Sequence, residues 1–206
     1  MSQDVPAALR VMLIDNEPER ASLVCSALES QGYRVISQRA STTGLVAAVA
    51  RDEPDIVIID MESPDRDTLE NMSILSQHAP RPIVFFASQS GDSETIQAAI
   101  RAGVSAYVVD GLQANRVRAV VDVAIARFRE FQTLREQLLE TRTALEDRKL
   151  IERAKGLLMK QQGCDEEQAY SVLRKIAMDR SQRLATVAQD VINYFSQPGP
   201  QGRRSA

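Results

Sequence analysis

Two aspartates, Asp15 and Asp60, stand where chemistry is most easily placed in this sequence. Each ends a short apolar run, 9–14 before Asp15 and 55–59 before Asp60. If both runs are parallel strands of one sheet, their carboxylates meet at the carboxyl edge, where such sheets bind ligands. Two converging carboxylates repel unless a cation or a proton lies between them. The pair therefore predicts a weak Mg²⁺ site made by Asp15 and Asp60, although nothing else in the sequence requires a cofactor.

The elements that would position these aspartates follow a repeating pattern. Five apolar or β-branched segments alternate with helical patterns, and Ser41 is expected to cap the second helix. Alternation of this kind predicts an α/β fold, a doubly wound five-stranded parallel sheet with helices on both faces. The predicted strands are 9–14, 33–37, 55–60, 82–86 and 104–109.

Composition excludes several other classes of protein. The two cysteines, Cys25 and Cys164, are far apart and His78 is the single histidine, so neither a Cys/His metal centre nor a Ser-His-Asp triad is expected. No nucleophile–base set or glycine-rich phosphate loop is visible, so we predict that the chain is not an enzyme. The sequence shows no apolar run of membrane-spanning length and no export signal, which predicts a cytoplasmic protein without a membrane partner.

Charge is unevenly distributed along the chain. Residues 1–111 carry a net charge of −8, whereas residues 112–206 carry +5. All four lysines lie in the second part. This asymmetry indicates two functions in one chain, with the basic part as the one that contacts a phosphate-bearing partner.

A long helical segment is expected to join the two parts. Residues 112–161 contain no proline and a single glycine, Gly156. Apolar residues recur there at steps of three, four and seven, which is typical of a coiled-coil seam, with Arg135 and Arg142 at intervening positions. We interpret this segment as a dimerisation helix; the alternative is a helix folded back on its own domain. The predicted seam consists of Val117, Val121, Ala124, Phe128, Phe131, Leu138 and Leu145.

The C-terminal part predicts three short helical stretches around a small core. Gly163 is expected to end the long helix, and Asp165 with Gln168 resembles a capping box at the start of the next. A further break near 179–181 precedes the last helix. The proline- and glycine-rich segment 197–206 predicts a disordered tail.

The motifs of the first part resemble the receiver domain of bacterial two-component response regulators. They are LIDNEP (13–18), DIVIID (55–60) and AGVSAYVVDG (102–111). The resemblance implies that Asp60 is the phosphoacceptor and that Asp15 helps to hold Mg²⁺. Two departures weaken this chemistry: Asn16 replaces a second acid, and Asp110 stands where receivers carry a lysine. An anion there opposes an added phosphate, so we interpret the domain as a degenerate receiver used for docking, with phosphorylation at Asp60 as the alternative.

The C-terminal motifs resemble the ANTAR domain, the RNA-binding module of antiterminators of the NasT–AmiR type. ERAKGLLM (152–159) and LRKIAM (173–178) carry this resemblance. It implies a dimeric transcription antitermination regulator that acts on leader-RNA hairpins. A NasT-like nitrate/nitrite regulator of nitrate assimilation is preferred, controlled by a sequestering, periplasmic-binding-like (NasS-like) sensor protein rather than by phosphorylation. Two alternatives remain open: a phosphorylation-activated regulator with the same RNA output, and a DNA-binding response regulator.

Cations spaced along the C-terminal helices are the predicted RNA contacts, because phosphate contacts dominate nucleic-acid affinity. Tyr170 is a candidate for stacking on an RNA base, with a place in the helical core as the favoured alternative. The predicted RNA-binding residues are Lys155, Lys160, Tyr170, Arg174, Lys175, Arg180 and Arg183. The predicted domains are a receiver-like domain at 1–125, a coiled-coil linker at 126–148, the ANTAR bundle at 149–196 and the tail at 197–206.

Overall fold

The computed structural model describes residues 8–88 and 91–196. Its sheet has five parallel strands in the order β2-β1-β3-β4-β5, which confirms the predicted doubly wound fold. The predicted tail lies outside the described residues. The strands are β1 Arg10–Asp15, β2 Arg34–Arg39, β3 Ile56–Met61, β4 Ile83–Ala87 and β5 Ala106–Val109.

The central strands are buried on both faces, which explains why they read as continuous apolar runs rather than as alternating ones. Along β1, Met12 and Ile14 face the core under the second, third and fourth helices. Val11 and Leu13 face the opposite core, which the first helix covers. The strand therefore ends with Asp15 held between two packed layers, and so does the neighbouring strand that carries Asp60.

Four helices complete the alternating part of the chain, and their starts follow local capping signals. Asp65 and Asp92 cap the third and fourth helices through bonds from the Thr68 and Thr95 amides. The expectation that Ser41 caps the second helix is wrong, because that helix starts after Gly44, which adopts a left-handed conformation. The helices are α1 Pro18–Ser30, α2 Leu45–Asp52, α3 Arg66–His78 and α4 Ser93–Arg101.

The fifth helix, α5, runs over Ala114–Gln162 as a single element of 49 residues. At its start, Val117, Val121 and Ala124 are fully buried in the core on the α1 face of the sheet. These three residues therefore cannot form a dimer seam, and the seam predicted there is wrong. The physical reason is that the apolar stripe is already covered, since the start of α5 packs on its own sheet as an ordinary layer of the α/β fold.

The C-terminal helices α6 (Glu166–Asp179) and α7 (Leu184–Ser196) pack with the end of α5 around a separate small core. Ala154, Leu158, Leu173 and Ala188 are among its buried residues. The predicted capping box is confirmed, because the Asp165 side chain accepts from the Gln168 amide while the Gln168 side chain accepts from the Asp165 amide.

The chain divides into two compact units, Met1–Gln132 and Thr133–Ala206. The first unit contains two buried cores, one on each face of the sheet. The second unit contains one, among the C-terminal helices. Within the described ranges, no helix combines the length and the apolar character needed to cross a bilayer.

Candidate functional site

Asp15 and Asp60 meet at the carboxyl edge of the sheet, as the sequence predicts. β1 and β3 are adjacent, and their register pairs Asp15 directly with Asp60. Both carboxylates are buried, with side-chain exposures of 0% and 2%. Such burial of two like charges requires compensation from another group in the fold.

Arg20, in the first turn of α1, supplies that compensation, and sequence reasoning missed it. Its Nη2 donates to Asp15 Oδ1 at 2.8 Å and its Nε donates to Asp15 Oδ2 at 3.0 Å, a two-point guanidinium–carboxylate pair. Nη2 also donates to the main-chain oxygen of Asp60 at 3.1 Å, and Nη1 donates to Glu17 Oε1 at 3.0 Å. One side chain therefore ties together both aspartates and the loop between β1 and α1.

Asp60 is less well compensated than Asp15. Its Oδ2 lies 3.8 Å from Arg20 Nε, while its buried Oδ1 has no hydrogen-bond partner among the described residues. The pKa of Asp60 is raised from 3.8 to about 6, chiefly because the carboxyl is buried; the Arg20 charge lowers the pKa, and the Asp15 and Glu17 charges raise it. Ionisation of Asp60 therefore costs more free energy in this site than it does in water.

The residues at this edge do not fit a bound Mg²⁺ ion while Arg20 is in place. Both oxygens of Asp15 accept from the guanidinium, and Oδ1 also accepts from the Glu17 amide at 2.8 Å. Across residues 8–88 and 91–196, no group of three or more His, Cys, Asp or Glu side chains is arranged to hold a metal. The edge at which the sequence predicts Mg²⁺ therefore presents a cation of its own.

Among the described residues, Arg20 is the cation that acts on Asp60. Asp110 follows β5 with a positive φ of 70° and an exposed side chain, and Gly111 donates from its amide to the Ala87 oxygen. A shallow cavity of about 320 Å³ lies beside Asp60 and is lined by Arg20 and Ser88 among others. An acyl phosphate on Asp60 would therefore have Arg20 as its nearest cation in this cavity.

The second candidate site is the exposed surface of the C-terminal unit. Lys160, Tyr170, Arg174 and Lys175 are exposed, and the Tyr170 side chain does not belong to the small core. The alternative of Tyr170 as a core residue is therefore wrong. Tyr170 and Arg174 are four residues apart on α6, so an aromatic ring and a guanidinium lie one turn apart on the same side of the helix.

The other predicted cations are engaged in ion pairs. Lys155, a predicted RNA contact, is instead buried, and its Nζ donates to Glu152 at 2.9 Å and to Glu166 at 2.6 Å. The reason is that Lys155 follows Ala154 on the inward side of α5, and two glutamates at the rim neutralise it. Arg183 lies 2.7 Å from Asp147, and Arg180 lies 3.7 Å from Asp190.

The later part of the predicted seam is more exposed than its start. Phe128 is half-buried and Phe131 is 61% exposed, and both line a small pocket of the first unit, Met1–Gln132. Leu138 and Leu145, in the C-terminal unit, are each more than half exposed, and so is Leu134. Leu134, Leu138 and Leu145 therefore form an exposed leucine stripe on α5, at steps of four and seven residues.

Family models match both parts of the chain. The profile of the response regulator receiver domain matches residues 11–122, more than half of the chain. The chain belongs to the response regulator receiver family. The profile of the ANTAR domain matches residues 139–192. The protein thus joins a receiver domain to an ANTAR domain, a combination found in regulators and not in enzymes.

Two relatives cover these domains to different extents. The transcriptional regulatory protein PdtaR of Mycobacterium tuberculosis is 29% identical over 195 residues, which is 95% of each chain. The nitrate regulatory protein of Klebsiella oxytoca is 51% identical over 63 residues, which is 31% of this chain and 16% of that protein. The first relative shares the whole arrangement, and the second shares one segment with higher identity.

Solved structures support the receiver fold. The signal receiver domain of a modulated diguanylate cyclase from Desulfovibrio desulfuricans aligns with a TM-score of 0.52 at 23% identity, covering 59% of this chain and 97% of that one. A receiver domain of a Luxo repressor protein from Vibrio parahaemolyticus aligns with a TM-score of 0.51 at 16% identity, covering 62% of this chain and 97% of that one. These similarities concern the fold alone.

Proposed function

We propose that this regulator is a cytoplasmic, dimeric RNA-binding antiterminator whose C-terminal helices bind hairpins of a leader RNA. The observation that carries the proposal is a group of exposed cations, Lys160, Arg174 and Lys175, which we call the ANTAR surface. Lys160, Arg174 and Lys175 are exposed and form no ion pair with another described residue, unlike Lys155 and Arg183. Cations that are not already paired with a carboxylate are the ones available to phosphates.

Tyr170 adds a means of reading RNA beyond its charge. Its ring is 43% exposed and lies one helical turn from Arg174. Unpaired bases in RNA loops stack on aromatic rings and on guanidinium planes, whereas bases inside a duplex are not available for such stacking. This surface therefore favours the loop of an RNA hairpin over duplex DNA.

The exposed leucine stripe on α5 supports dimerisation through a second copy of the chain. Leu134, Leu138 and Leu145 keep heptad spacing with Thr141 between them, and all of them are exposed. In a parallel pair, each seam position meets its own equivalent, so identical chains satisfy the pattern by symmetry. A dimer would present two ANTAR surfaces to one RNA, and a second hairpin would then bind at high effective concentration.

Control of this activity is proposed to come from a sequestering sensor protein rather than from phosphorylation. Asp60 is 2% exposed, Asp110 replaces the usual cation, and Arg20 is already bonded to Asp15. The 51% identity to a segment of a nitrate regulatory protein makes nitrate or nitrite the first ligand to test on a NasS-like partner. A ligand releases the regulator only if it binds free and complexed sensor with different affinity.

The test is a binding titration of the full chain against a labelled two-hairpin leader RNA and a DNA duplex of equal length. Replacing Arg174 and Lys175 by Ala should weaken RNA binding at least tenfold. It should also flatten the salt dependence, by about 0.7 to 0.9 in slope for each lost phosphate contact. The matched control replaces Arg34 and Arg101, two exposed arginines of the receiver unit, and should bind as wild type does.

Three results would contradict the proposal. The first is wild-type RNA affinity in the Arg174/Lys175 variant. The second is tighter binding to the DNA duplex than to the RNA, which would favour a DNA-binding regulator. The third is RNA binding that requires a phosphodonor, which would favour the phosphorylation-activated alternative.

A further inference from the structure

The acidic edge of the receiver unit already contains a cation that belongs to the chain. Asp15 and Asp60 are paired in register and buried, and the Arg20 guanidinium lies against both. Converging carboxylates need a positive charge between them, and that charge can come from a metal ion or from a side chain. Here the side chain is in place.

We propose that Arg20 is the built-in counter-cation of this receiver domain, occupying the position of a divalent metal and excluding it. The inference concerns the receiver unit alone. It is independent of the proposed RNA function, since a chain that binds no RNA would still show it.

The hydrogen bonds of Asp15 carry the first part of the argument. Its Oδ1 accepts from Arg20 Nη2 and from the Glu17 amide, and its Oδ2 accepts from Arg20 Nε. A Mg²⁺ ion requires oxygen ligands at about 2.0–2.1 Å in near-octahedral geometry. Asp15 could supply such a ligand only by giving up its two-point pair with the guanidinium.

The contacts to Asp60 carry the second part. Arg20 Nη2 donates to the Asp60 main-chain oxygen at 3.1 Å, and Nε lies 3.8 Å from Oδ2. The guanidinium thus lies between the two strand ends, within reach of both the carboxylate and the main-chain oxygens. A metal ion placed among these same oxygens would lie against a like charge.

The position of Arg20 in α1 carries the third part. Arg20 is in the first helical turn, three residues after the N-cap Glu17. A positive side chain at a helix N-terminus opposes the helix dipole, so local helix energetics disfavour an arginine there. The contacts with Asp15, Glu17 and Asp60 outweigh that cost, since they hold the side chain at only 25% exposure.

The test compares metal binding by wild type and Arg20→Met, which keeps an unbranched apolar side chain and removes the charge. Free Mn²⁺ is followed by its electron paramagnetic resonance signal, with Mg²⁺ as competitor. Wild type should leave the signal unchanged, whereas Arg20→Met should bind Mn²⁺ in a form that Mg²⁺ displaces. The second-site variant Asp15→Asn/Arg20→Met should lose that binding, and Arg101→Met, an exposed arginine of α4, should behave as wild type does.

Thermal unfolding provides a second measurement. Mg²⁺ at roughly tenfold above the dissociation constant should raise the Tm of Arg20→Met by about 4 °C and leave wild type unchanged at matched ionic strength. Mn²⁺ binding by wild type would overturn the proposal, and so would a folded Arg20→Met that binds none. If Arg20→Met is unfolded without metal, refolding by Mg²⁺ supports the proposal, and failure of Mg²⁺ to refold it overturns the proposal.

Discussion

Single residues show how differently this chain stabilises buried charge in its two units. In the receiver unit, Arg20 pairs with a fully buried Asp15, while Asp60 keeps one carboxylate oxygen without a partner in the described structure. In the C-terminal unit, Lys155 is buried but its partners Glu152 and Glu166 remain more than half exposed. Asp60 is therefore costly to ionise in the folded protein, whereas the ion pairs of Lys155 stabilise the packing of α5 on α6.

Asp60 should make stability depend on pH. Its folded pKa is about 6 against an ordinary 3.8, so the folded state binds the proton more tightly than the unfolded state does. Stability contributed by protonated Asp60 is present below about pH 4 and is lost as the pH rises through about 6, a loss of up to about 3 kcal/mol. Asp60→Asn removes this dependence, so the variant should match wild type near pH 4 and exceed it near pH 7.

Urea unfolding of the full chain at several pH values, followed by circular dichroism, measures this difference. Glu70→Gln, which changes an exposed carboxylate on α3, is the matched control and should show no pH-dependent difference from wild type. A constant gap between Asp60→Asn and wild type across the pH range would contradict the assigned cause.

Lys155 should affect RNA binding only through the fold. Its stem packs among the helices and its Nζ links Glu152 on α5 to Glu166 on α6. Lys155→Ala should therefore lower the Tm of the C-terminal unit, whereas Arg174→Ala should leave it unchanged. Thermal unfolding and RNA titrations below the Tm separate the two effects: direct loss of RNA affinity in a fully folded Lys155→Ala protein would refute the assignment.

At the scale of elements, α5 uses one apolar periodicity in two environments. Its first turns bury Val117 and Val121 against the sheet, while the leucine stripe at Leu134, Leu138 and Leu145 is exposed. Apolar residues at the same helical period thus pack within the chain at the start of α5, whereas those of the leucine stripe are exposed and available to a partner.

Replacing Leu138 and Leu145 by Asp should convert the proposed dimer into a monomer. Charged side chains in a seam would lose their hydration without gaining partners. Leu139→Asp is the matched control, because Leu139 is 66% exposed on the same helix but outside the heptad stripe. Sedimentation velocity distinguishes the species; a double variant that remains dimeric would place the interface elsewhere.

Across the whole molecule, a receiver domain is followed along the chain by an ANTAR domain. PdtaR shares this order of domains over nearly the full length of both chains. The change in net charge between the two parts of the sequence follows the same division.

Full-length protein should bind leader RNA equally well with and without acetyl phosphate. The expectation rests on Asp110 in place of the usual lysine and on the burial of Asp60. Affinity should change by less than about twofold, which is under 0.5 kcal/mol. Phosphate labelling that is lost in Asp60→Asn, together with tighter RNA binding by the labelled protein, would contradict it.

The strands, their alternation with helices and the pairing of Asp15 with Asp60 could be predicted from the amino-acid sequence, because buried parallel strands have a distinctive apolar pattern and end at one edge. The Asp165–Gln168 capping box could be predicted as well, since that motif is local. What covers each face of a helix or strand depends on contacts between residues that are distant in the sequence. Val117 and Val121 have the same spacing whether they meet a sheet or another helix, and the spacing of Lys155 does not reveal its two glutamate partners. Arg20 escaped prediction for a related reason: its pair with Asp15 is local, but its contacts with Asp60, forty residues away along the chain, exist only because β1 and β3 have paired.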